Sequence, residues 1–181
     1  MPTLNDPDGP AARVSEGMLK SLCVSESLEG HTNRHHQQAY TWQFSNDPAA
    51  NDDCIFYIKN NDELPLILEG LNLFITGACE VYVKIRGAGT TAAGTVVTGV
   101  CVNGGGADDS DVTCLHAEDV EAGGTFAGAV EFDRFKYAAA VDSYDLNFPM
   151  DVTLPKNAVF SLWVDTAGVV ITGTLYGFFH E

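Results

Sequence analysis

Glu80-Val81-Tyr82-Val83-Lys84-Ile85-Arg86 decides the fold. Successive side chains of an extended strand point to opposite faces, so Val81, Val83 and Ile85 share one side while Glu80, Lys84 and Arg86 share the other. The same period of two begins at Tyr40-Thr41-Trp42-Gln43-Phe44 and recurs in short apolar runs at 54–59, 71–76, 95–102, 125–132, 144–148, 160–164 and 169–179. Turn-forming clusters punctuate the runs: Asn60-Asn61-Asp62, Gly87-Ala88-Gly89, Asn103-Gly104-Gly105-Gly106, Glu121-Ala122-Gly123-Gly124 and Pro155-Lys156-Asn157. No helical pattern of about 10–15 residues lies between them, which argues against a parallel βαβ sheet. Roughly eight to ten strands with turns at these intervals predict an all-β fold, an antiparallel β-sandwich of jelly-roll type.

The pattern divides the chain in two. Residues 39–181 form the expected sandwich domain, and residues 1–38 an extended, mostly irregular N-terminal arm. The arm opens with turn chemistry at Asn5-Asp6-Pro7-Asp8-Gly9-Pro10 and is polar throughout from Glu29 to Gln38. Between them, Val14, Met18 and Leu22 recur at a spacing that suits about two helical turns. Such a segment buries little by itself, so those three residues are candidates for contact with a partner. At the other end, the final run is apolar or neutral on both faces. Leu175, Tyr176, Phe178 and Phe179 are more large apolar groups than one sandwich face hides, which places part of the strand at a subunit interface. Gly173 and Gly177 lie four apart on one face and leave a trough that a ring or a backbone can approach.

Charge and composition narrow the function. The 181 residues are 45% apolar, enough for a core, and 25 Asp and Glu outweigh 9 Lys and Arg for a net charge of −16. The cations are scattered singly, whereas nucleic acid and anionic membranes call for a basic patch. No window approaches the roughly 18 consecutive apolar residues of a membrane span. The N-terminal stretch has early acids and no apolar segment, so no secretion leader is expected. Five cysteines, an odd number with no CxxC spacing, read as reduced thiols packed as small hydrophobes.

Candidate chemistry is sparse. His31, His35 and His36 lie close together but on the arm, without a framework to hold a metal. Cys114 and His116 would share a strand face as a ligand pair with no second pair to complete it. Asp108, Asp109 and Asp111 follow three glycines and are candidate calcium ligands, although their spacing matches no EF-hand loop. There is no G-x-S-x-G, H-E-x-x-H, P-loop or G-x-G-x-x-G. Trp42 and Trp163 are candidates for stacking on a sugar, Trp163 fitting a core or interface better. No catalytic residue, cofactor or resident metal is expected, and the chain is read as a non-enzyme.

The stretch Phe148-Pro149-Met150-Asp151-Val152-Thr153-Leu154-Pro155-Lys156-Asn157-Ala158-Val159-Phe160-Ser161-Leu162-Trp163, with the closing Gly177-Phe178-Phe179-His180-Glu181, resembles virion structural proteins of tailed bacteriophages, of the jelly-roll capsid decoration or cement type. Trimeric jelly rolls of the C1q and tumour-necrosis-factor kind close in a similar way. The resemblance implies a homotrimer on the capsid exterior, bound to the major capsid protein or other virion proteins and made in the host cytoplasm. A neck, tail, fibre or receptor-binding head domain is an alternative, as is a carbohydrate-binding module.

Overall fold

A computed structural model describes residues 3–4, 12–15, 18–20, 39–85, 93–102, 111–121 and 129–179. Every regular element among them is a strand, and all pairings are antiparallel. Three short strands, β1 (Thr3–Leu4), β2 (Ala12–Ser15) and β3 (Met18–Lys20), form a small sheet in the order β1-β2-β3. This corrects one expectation for the arm: Val14 and Met18 lie in strands rather than in helical turns; Leu22 lies outside the described residues. The reason is local. Only Glu16 and Gly17 separate the paired ends Ser15 and Met18, the length of the commonest hairpin links. Two isolated helical turns would be too short to hold.

The sandwich begins at β4 (Ala39–Asn46) and continues through β5 (Asp53–Asn60), β6 (Leu66–Ile75), β7 (Cys79–Ile85), β8 (Thr95–Val96), β9 (Val100–Cys101), β10 (Val112–His116), β11 (Val130–Tyr137), β12 (Val141–Leu154), β13 (Val159–Val164) and β14 (Ile171–Phe179). One sheet runs β11-β7-β13-β5-β10-β8 and the other β12-β6-β14-β4-β9. Strands β4 to β7 alternate between the sheets, and the last two insert between them: β13 between β5 and β7, β14 between β4 and β6. The run read as one strand at 95–102 divides. Its start pairs β10 in the six-stranded sheet and its end pairs β4 in the five-stranded sheet, so the chain crosses the sandwich at Val97–Gly99.

The core is the layer between the sheets. Val81 and Val83 point into it as the alternation requires, with Phe56, Ile58, Phe160 and Leu162 from the same sheet and Leu71 and Leu73 from the facing one. A bulge opposite Leu162 and Trp163 lets both Ile55 and Phe56 turn inward. The trough on β14 is on this inner side. The ring of Phe44 fills it at Gly173, and the carbonyl of Ile67 approaches Gly177. Buried Asn60 ties the β5 end to the opposite sheet, donating to the carbonyls of Leu64 (2.8 Å) and Leu154 (2.9 Å) and accepting from the Asp62 amide.

Candidate assembly faces

The two outer faces of the sandwich differ in character. On the six-stranded sheet the register sets Arg134 opposite Tyr82 and Lys136 opposite Glu80. Arg134 donates to Glu131 (2.7 and 2.8 Å) and to Glu80 (2.9 Å), and Lys136 donates to Glu80 (2.8 Å). These bonds hold the Glu80 carboxyl below its ordinary range, Lys136 first and Arg134 second, and Arg134 does the same to Glu131. Beside them a second buried cluster gathers Cys54, Tyr57, Tyr82, Val120, Val159 and Trp163. Lys84 lies over the Trp163 ring, its Nζ 3.4 Å from the centroid, and the Tyr82 hydroxyl donates to Asp52 at 2.7 Å. Charge and aromatic surface interleave here.

On the five-stranded sheet, β4, β14 and β6 are aligned so that outward side chains form three cross-strand rows: Ser45-Thr172-Phe74, Gln43-Thr174-Asn72 and Thr41-Tyr176-Gly70. None of these nine residues is charged. Val100 of β9 continues the last row beside Thr41 and is exposed. Ser45 and Thr172 share a hydrogen bond of 2.8 Å. Two aromatic side chains stand out of this polar surface, Phe74 at 40% exposure and Tyr176 at 39%. Glu69 sits in the β6 bulge, and in backbone register Asp145 of edge strand β12 pairs with Asn72.

The last strand therefore corrects the interface expectation. Leu175 and Phe179 are buried in the sandwich core and Phe178 is also buried, so of the four residues only Tyr176 is exposed. The β14 alternation sends Ile171, Gly173, Leu175 and Phe179 inward, and the bulge at Tyr176/Gly177 shifts the register at the end. Sequence reasoning missed Phe74, Gln43 and Thr174. The signal was present, since Thr41, Gln43, Thr172 and Thr174 alternate with large apolar residues, but neutral polar residues also suit a solvated face.

Other candidates fall as follows. Asp108 and Asp109 lie outside the described residues, as do His31, His35 and His36; Asp111 is half-buried and its carbonyl accepts from the Asn61 amide at 2.8 Å. Cys114 is buried in the core, and His116, on the same strand, meets Asn46 of the facing sheet at 3.0 Å through Nδ1. Among the described residues no group of three His, Cys, Asp or Glu side chains is placed to hold a metal ion, and no helix is long and apolar enough to cross a membrane. Trp42 and Trp163 are both buried, so neither offers a ring face to a sugar.

No family model matches the chain, and no curated protein matches it. Among solved structures it is similar to a chain of the infectious bursal disease virus VP2 subviral particle, 14% identical over 95% of this chain and 46% of that one, with a TM-score of 0.19. The chain thus spans less than half the length of that chain.

Proposed function

We propose that this chain is a non-enzymatic virion structural protein, and within that class a capsid decoration or cement protein that binds a phage head as a homotrimer. The observation that carries the reading is the uncharged outer face of β4, β14 and β6 on a chain of net charge −16. Strong acidity keeps single copies soluble and apart. A polar but uncharged sheet face with two exposed aromatic side chains is a surface that protein covers at low desolvation cost. The closed sandwich core, which completes itself without that face, leaves it available for assembly. The likeness of residues 148–163 to phage virion proteins supports the same class.

In this reading the sandwich sits on the capsid exterior and residues 1–38 provide the attachment to the major capsid protein or another virion protein. Val14, Met18 and Leu22 are the arm residues assigned to that contact. The test is co-sedimentation with phage heads stripped of the protein. The full chain is expected to pellet with the heads, and a version lacking residues 1–30 to stay folded yet bind more weakly. Equal binding by the truncated chain would remove the arm's docking role, and absence of binding by the full chain would remove the decoration reading.

A further inference from the structure

We propose that copies of this chain meet one another through the outer face of the five-stranded sheet, with Phe74 and Tyr176 as anchors and Gln43, Thr174 and Asn72 between them. The inference rests on the oligomeric reading above and supplies the surface for it.

Charge identifies the occupant. Each copy carries 25 acidic side chains against 9 basic ones, so a second copy is repelled by most of what it approaches. The three rows from Ser45 to Gly70 offer no charge to oppose it. The opposite outer face carries Glu80, Lys84, Glu131, Arg134 and Lys136, whose ion pairs would have to be desolvated. About a three-fold axis, neighbouring copies also bring hydroxyls and amides that both donate and accept to these rows. A sugar fits less well. Phe74 lies opposite Thr172, four residues from Tyr176 on β14, so the two rings stand about 13 Å apart along the strands, too far to hold one ring between them. Nucleic acid would call for cations that these rows lack.

The experiment is light scattering on the full chain at micromolar concentration, with Phe74→Glu and Thr174→Glu placing an acid on the face. Phe132→Glu is the control, an equally exposed aromatic on β11 of the other sheet. Thr174→Glu exchanges one polar group for another at a strand surface and guards against loss of folding, which circular dichroism checks. The wild type is expected to be oligomeric, both face variants to weaken self-association by about 100-fold or more, and the control to match the wild type. A monomeric wild type overturns this inference together with the trimer. An oligomer unchanged by both face variants overturns the face alone and leaves the trimer standing, as does a control that dissociates equally.

Discussion

The ring of Phe44 occupies the place where a side chain at Gly173 would begin: a Cβ there would lie 2.4 Å from Phe44 Cζ and 2.9 Å from Leu73 Cδ2. The two residues pair across β4 and β14, so the missing side chain of one strand is filled by the ring of its neighbour. Phe44 in turn stacks on Phe56 of the facing sheet at 4.4 Å between centroids. One glycine thus seats a contact that spans the whole sandwich.

Gly173→Ala is expected to destabilise the fold by about 1–3 kcal/mol, the usual cost of overpacking a filled core. Urea unfolding followed by tryptophan fluorescence measures it. Phe44→Ala in the same background should cost less than in the wild type, because the added methyl then has room.

Asn60 provides a polar counterpart. Its amide serves two carbonyls on different segments, and its own carbonyl oxygen receives the Asp62 amide. Asn60→Leu should cost about 1–3 kcal/mol, since it leaves the buried Leu154 carbonyl without its donor and the half-buried Leu64 and Asp62 groups without their partners. A thermal melt that matches the wild type would contradict this.

The thiols should be silent in the folded protein. Cys54, Cys79, Cys101 and Cys114 form no disulfide and are buried. Burial, with Asp165 adding to it, pushes Cys79 up to about 11, and burial raises Cys54 well above its ordinary value. These four of the five cysteines should react with a thiol reagent at mildly alkaline pH only after denaturant is added. Rapid labelling of any of them in the native state would show that the core opens locally.

The ion cluster on β7 and β11 gives a pH signature. Pairing lowers the carboxyls of Glu80 and Glu131, so its contribution is complete above about pH 4.3, the ordinary glutamate value. It is lost as pH falls through the lowered folded values. Arg134→Met should therefore be less stable than the wild type at neutral pH, and the gap should close on acidification. The gap is expected to be small, because the cluster is exposed and screened by solvent. Denaturation midpoints across the acid range read it directly.

The alternation in Val81-Tyr82-Val83 and in Tyr40 to Phe44 was sufficient to show a two-sheet sandwich, because a half-buried strand writes its two faces into alternate residues. The turn at Pro155-Lys156-Asn157 was equally legible; Asn157 takes the left-handed φ of 65° that asparagine tolerates. The strand expected at 125–132 runs on to Tyr137, and Phe135 and Tyr137, which pack on the core, were not assigned to it. Leu175, Phe178 and Phe179 were assigned outward because a strand apolar on both faces does not say which side the rest of the chain covers. The neutral residues alternate visibly in each strand, but their alignment into rows could not be read before the register was known. They are assembled from three strands distant in sequence, and only Ser45 opposite Thr172 and Thr172 opposite Phe74 bring them onto one surface.

The most direct measurement is quantitative mass spectrometry of purified virions carrying this chain, counting its copies against the major capsid protein. A decoration protein is expected at hundreds of copies per particle, in a ratio that corresponds to whole trimers on the shell lattice. A count of a few copies to a few dozen would place the chain at the neck, tail or fibre, and its absence from the particle would contradict a virion role altogether.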